Sequence, residues 1–132
     1  MDFGQVAAGA AATLTPGSAP ASGTLGVLQI DHNSEVTVAV SLPAGGLTLV
    51  GGSGAEPQLP VAFNCGYSAA SSGALLGAAV ACAALANQSG NGDGSTRSSF
   101  IQIGGAIGSA DTTGRIPGTY TGQLVFTVTS VY

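Results

Sequence analysis

The only histidine in the chain, His32, sits in the run Asp31-His32-Asn33-Ser34-Glu35. An imidazole between two carboxylates is the raw material of a general acid–base system. A Ser-His-acid triad would have to use this ring, and the Asp31 and Glu35 carboxylates would be a candidate pair for glycoside hydrolysis. The company these residues keep argues otherwise. Asp, Asn and Ser bond their own neighbouring backbone and make turns. Sugar-cleaving sites usually carry aromatic platforms, and the chain has no Trp. No Gly-x-Ser-x-Gly elbow occurs either. The run reads as a polar turn between two strands, no catalytic residue is assigned, and the protein is expected not to be an enzyme.

Other candidate chemistry is thinner. Asn91-Gly92-Asp93-Gly94-Ser95 has the oxygen-rich character of half a calcium loop. It lacks the acidic density and terminal bidentate Glu that calcium loops use, and reads as a Gly-rich hairpin loop. Gly51-Gly52-Ser53-Gly54 has neither the Lys nor the following helix signal of a phosphate cradle. Cys65 and Cys82 with His32 fall short of the four ligands zinc usually takes. No metal and no cofactor are expected. The two cysteines favour a disulfide over a pair of buried free thiols, because an even pair in a Gly/Ser/Thr-rich chain without Lys fits an oxidising compartment. Closing a loop of that length contributes about 3 kcal/mol by chain entropy.

Composition narrows the partners. Charged residues make up 6% of the 132-residue chain, the net charge is −4, and the two cations are Arg97 and Arg115. That balance excludes the basic footprint nucleic-acid binding needs. No apolar run is long enough to span a bilayer as a helix. Met1-Asp2-Phe3-Gly4 has no basic start and no apolar core, so no secretion signal is visible, and an exported chain would be mature or truncated as given. With so little charge, the usual defence against self-association is weak. The surface reads as one built to be covered or assembled.

Strand signals alternate with turn signals along the whole length. Short apolar segments at 2–6 and 25–30 are followed by Val36 to Leu42, where Val36, Val38, Val40 and Leu42 share one face and Thr37, Ala39 and Ser41 the other. Leu25, Val27 and Gln29 are placed on one face of the second segment. Further strands are predicted at 47–50, 59–65 and 99–107, with Phe100 and Ile103 as candidates for burial. Residues 69–86 are ambiguous, because Ala and Leu favour a helix while Gly73 and Gly77 oppose it. They are read as an irregular loop or short strand. Asn87 to Ser95 is a polar loop and Asp111 to Gly114 a turn. Short strands, frequent turns and no convincing helix predict one all-β domain over residues 1–132, built as a sandwich.

The final run, Pro117-Gly118-Thr119-Tyr120-Thr121-Gly122-Gln123-Leu124-Val125-Phe126-Thr127-Val128-Thr129-Ser130-Val131-Tyr132, is a turn signal followed by a long β-branched and aromatic strand. Leu124, Phe126, Val128 and Tyr132 point one way, and Val125, Thr127, Thr129 and Val131 the other. After Pro117 it has neither Lys nor Pro to blunt an edge. No strand follows it in the sequence, so its pairing partner is expected either in mid-sheet or on another chain.

Asp2-Phe3-Gly4 at the start, Val36-Thr37-Val38 running into Ser41-Leu42-Pro43, and Pro117-Gly118-Thr119-Tyr120-Thr121-Gly122 before an alternating aromatic-ended strand resemble one bacterial surface family. This is the spore coat protein U and archaic chaperone–usher pilin group, with its related pilin-like domains of unassigned function. The resemblance covers nearly the whole chain. It implies an incomplete immunoglobulin-like sandwich lacking its last strand, held first by a periplasmic chaperone, passed through an outer-membrane usher and completed by a donor strand from a neighbouring subunit. It implies that Leu124, Phe126, Val128 and Tyr132 line the assembly groove and that the chain is extracellular. Donor segments of that family precede the Asp-Phe-Gly strand, where this sequence has only Met1. The donor would have been cut from the sequence, or would be residues 7–15 swinging out, or would be absent from a tip subunit or a self-completed monomer. The expected function is therefore a structural fibre or coat subunit. The alternative is an adhesive or ligand-binding sandwich using the loops at 68–73 and 87–95, including Asn91 and Asp93.

Overall fold

A computed structural model of the chain describes residues 1–89 and 95–131. The protein is nearly all β, with several antiparallel sheets. In chain order the elements are β1 (Ala12–Leu14), β2 (Gly26–His32), β3 (Val36–Ser41), β4 (Thr48–Leu49), β5 (Ala62–Ser68), β6 (Val80–Ala81), a 3-10 turn (Cys82–Ala84), β7 (Arg97–Ile107), α1 (Ser109–Thr112), β8 (Tyr120–Thr121) and β9 (Val125–Ser130).

The long strand β7 organises the largest sheet. One of its edges pairs with β2 from His32↔Arg97 to Gly26↔Ile103, and then with β1 from Leu14↔Gly105 to Ala12↔Ile107. Its other edge pairs with β5 from Ser68↔Phe100 to Ala62↔Ala106, and β6 continues beyond β5. Two strands can share one edge of β7 because the chain crosses it closely at Gly104. A Cβ there would lie 2.0 Å from the Leu14 carbonyl oxygen. The second sheet is a ribbon of β3 and β9, and β4 with β8 forms a third, minimal pair. The turn into β4 needs glycine: Gly46 has φ 115°, and a Cβ would sit 2.2 Å from the Leu59 carbonyl oxygen.

The β7 sheet and the β3–β9 ribbon share one core. It gathers Ile30 from β2, Val36 and Val38 from β3, Phe63 and Cys65 from β5, Ile101 from β7, and Cys82 and Leu85 from the 3-10 turn and its exit. A second cluster of Phe3, Leu14, Leu59 and Ile107 lies under β1 and the opening segment. The Val36, Val38 and Val40 alternation predicted for β3 therefore faces the core as expected. Val27 and Gln29 share one face of β2, as the sequence places them, and that face is the exposed one. Gly26, Ile30 and His32 are buried, while Val27, Gln29 and Asp31 are exposed. The opening apolar segment makes only an isolated bridge, Asp2 to Thr24, although Phe3 is buried. On the core face of β7 Ile101 is fully buried, and Phe100 is half-buried on the opposite face. The turn predicted at Asp111 overlaps the single-turn helix α1.

That opposite face of β7 is covered by loops, and Gln102 ties them down. It is 1% exposed. Its Oε1 accepts from the Gly17 N–H at 2.7 Å, and its Nε2 donates to the Gly73 carbonyl at 3.0 Å. Gln102→Leu keeps the bulk and leaves both backbone groups without a partner. We expect a loss of about 1–3 kcal/mol in unfolding free energy. It would appear in urea titration as a lower midpoint at unchanged slope.

Candidate functional site

The strongest functional feature is the outer flank of the β3–β9 ribbon. The pairing runs from Val36↔Ser130 to Ser41↔Val125. Just beyond it, the Val131 N–H donates to the Glu35 carbonyl at 2.9 Å. Bonded and non-bonded pairs alternate in an antiparallel ladder. Thr129 with Thr37, Thr127 with Ala39 and Val125 with Ser41 are thus the bonded pairs. Phe126, Val128 and Ser130 turn their N–H and C=O groups away from β3. No described residue pairs with that outward edge of β9.

Side-chain burial shows the same opening. Val38 and Val128 are directly opposed on the core face of the ribbon. Val38 is 8% exposed and Val128 39%. Leu124 and Phe126 are partly buried and pack against the shared core. The core thus covers Val38 while Val128, on the same face, is exposed. On the outer face Val125 and Val131 are exposed as well. Of the four residues predicted to line an assembly groove, the structure brings Leu124, Phe126 and Val128 onto this open flank. Tyr132 lies outside the described residues.

The disulfide is present between Cys65 on β5 and Cys82 at the start of the 3-10 turn, and both residues are fully buried. Residues 12–14 of the proposed swinging segment are paired to β7, with Leu14 1% exposed. Swinging them out would break β1 and remove Leu14 from the second cluster.

The His32 cluster is built into the fold. Its Nδ1 lies 2.8 Å from the Ser34 carbonyl, which only accepts, so in the neutral ring Nδ1 carries the proton and donates. Nε2 then accepts from the Ser99 hydroxyl at 3.0 Å. Ser99 supplies the hydroxyl geometry a nucleophile would have, a pairing the sequence does not announce across its wide separation. Both residues are buried, at 7% and 3% exposure, so the pair faces the interior and not a cleft. Asp31 points outward. Donation from the Ser98 hydroxyl, and secondarily from the Gln29 amide, holds its carboxyl below its ordinary range.

The Gly51–Gly54 loop, weighed above as a phosphate cradle, binds a carboxylate of its own chain. Glu56 accepts from the Ser53 N–H and hydroxyl, each at 2.9 Å, and from the Gly54 N–H at 3.0 Å. The Ser53 backbone donor is the chief reason its carboxyl is more acidic than usual. A carboxyl with a lowered folded pKa contributes order above its unfolded pKa and loses it as pH falls through the folded value. Acidification is therefore expected to lower the protection of the Ser53 and Gly54 amides relative to their intrinsic exchange rate at each pH, and Glu56→Gln to abolish that pH dependence in NMR exchange measurements.

The Asn91-to-Gly94 part of the loop weighed for calcium and adhesion, including Asn91 and Asp93, lies outside the described residues. In the loop at 68–73 the Ser68 hydroxyl donates to the Ala70 carbonyl at 2.5 Å, and residues 69–73 are exposed. No described helix is long and apolar enough to cross a membrane. No family model, no curated protein and no solved structure matches the chain.

Proposed function

We propose that the protein is a strand-accepting structural subunit of a bacterial surface fibre or coat, with the ribbon as the unfinished half of an immunoglobulin-like sandwich. The acceptor is the outward edge of β9. The occupant is an extended segment of another copy or a related subunit, with alternating apolar side chains. The observation that carries this reading is the contrast across one cross-strand pair: Val38 is sealed while Val128, facing the same core, is open. Strand addition would supply both missing elements at once, main-chain partners for Phe126, Val128 and Ser130 and side chains for the gap under Val128. The low charge, the disulfide and the likeness to chaperone–usher pilins support an exported chain. A periplasmic chaperone would hold the same edge before the usher passes the subunit outward.

Deleting residues 124–131 from the full-length protein in its native host tests this. Cells are expected to lose the polymer seen by electron microscopy and retain no surface-exposed antigen. Fibres of normal number and heat stability would remove the reading.

A further inference from the structure

We propose that the segment Cys82–Gln88 is an edge guard, which makes the β3–β9 ribbon a one-sided acceptor by occupying the flank of β3. The inference rests on the strand-accepting reading for its consequence, though not for its geometry.

A two-stranded ribbon has two edges, and each is a template for another strand. By the same alternation that turns Phe126, Val128 and Ser130 outward on β9, the groups of Val36, Val38 and Val40 turn outward on β3. The two flanks are nevertheless unlike. On the β3 side the Val36 N–H donates to the Gln88 carbonyl at 2.9 Å, and the Gln88 N–H donates back to Val36 at 3.0 Å. Cys82 and Leu85 fill the core space beside Val36 and Val38. A strand laid along the full length of β3 would need the room that Gln88 occupies at its Val36 end.

The guard is held at three places. The Cys65–Cys82 disulfide fixes its start to β5. Tyr67, two residues along the same strand and also packed on the core, donates its hydroxyl to the Ala86 carbonyl at 2.6 Å. Leu85 is 9% exposed in the core between these anchors. The segment, Cys-Ala-Ala-Leu-Ala-Asn-Gln, carries no charge. It protects the edge by occupancy, in a chain that has no Lys for the more common charged defence. One open edge per subunit gives linear addition. A second would permit branching and disordered pairing.

The test compares wild type with the double variant Tyr67→Phe, Gln88→Pro, which keeps the disulfide, releases Ala86 and removes the Gln88 donor. The probe is a synthetic peptide copying residues 124–131 with lysines added for solubility. In wild type the Val36 amide is expected to exchange at least tenfold more slowly than the Val128 amide, and the peptide to bind once, at β9. In the double variant Val36 exchange is expected to rise roughly tenfold, and a second peptide to bind along β3. Equal exchange at Val36 and Val128 in wild type would overturn the proposal even if the variant failed to fold. So would unchanged Val36 exchange in the variant, or rapid exchange with still only one peptide bound. A wild type that takes no peptide, beside a variant that takes one at β3, would sink the fibre reading and leave the guard standing. Binding to neither would sink both.

Discussion

Replacing Cys65 and Cys82 together with alanine is expected to lower the unfolding free energy by about 3 kcal/mol, the chain-entropy value for a loop of this size. The bridge spans 17 positions. The expected fall in Tm is on the order of 10 °C for a chain of this length. Thermal unfolding with circular dichroism, wild type against the double variant, measures it. Both sulfurs are fully buried in the core that the two sheets share, so their removal also loosens packing around Phe63 and Leu85. The loss should be uneven along the chain. The Val36 amide, bonded to Gln88 on the far side of the bridge, should lose protection before the amides of β7. A variant as stable as wild type would mean that Leu85 and Tyr67 hold the segment unaided.

The parts of this fold that were legible in the sequence are those where one face is wet and the other dry. Val36 to Ser41 alternates apolar with small polar residues, and the core takes the valines as that pattern requires. The terminal strand and the cysteine pair were legible for equally local reasons: a long β-branched run and two thiols in a chain otherwise poor in reactive groups. Legibility fails where both faces of a strand are covered. In β7 Ile101 packs between the sheets while Gln102 is sealed by loops, so alternation offers no contrast, and Phe100 drew the burial expectation that belonged to its neighbour. In β2 the sequence groups Val27 with Gln29 but does not say which face is dry, because a glycine and a histidine occupy the core face and Val27 the outer one. The His32–Ser99 contact joins residues far apart in sequence, and no local pattern signals it. Gln88 is the clearest case: its one bridge to Val36, at the start of β3, lies in a run of alanines with no period and has no local signal.

Val128→Pro is expected to weaken strand acceptance at least tenfold while leaving the subunit folded, and Thr127→Pro to weaken the ribbon itself. The difference follows from the ladder. Thr127 and Ala39 form a bonded pair, so proline at 127 removes an N–H that holds β9 to β3. Ribbon stability should fall by about 1–3 kcal/mol, read as lost exchange protection at Ala39 and Thr129. The Val128 N–H points away from β3, and proline is tolerated on an edge strand where its missing donor faces outward. Its ring also blocks the close approach of another backbone. Val128→Pro should therefore unfold near the wild-type denaturant midpoint and bind the peptide copying residues 124–131 at least tenfold more weakly, equivalent to about 1.4 kcal/mol or more. Val128→Thr keeps the donor and the branched shape and should bind almost as wild type does. That comparison separates the main-chain contribution from the apolar one. Should Val128→Pro take up the peptide with undiminished affinity, the acceptor would not be this edge.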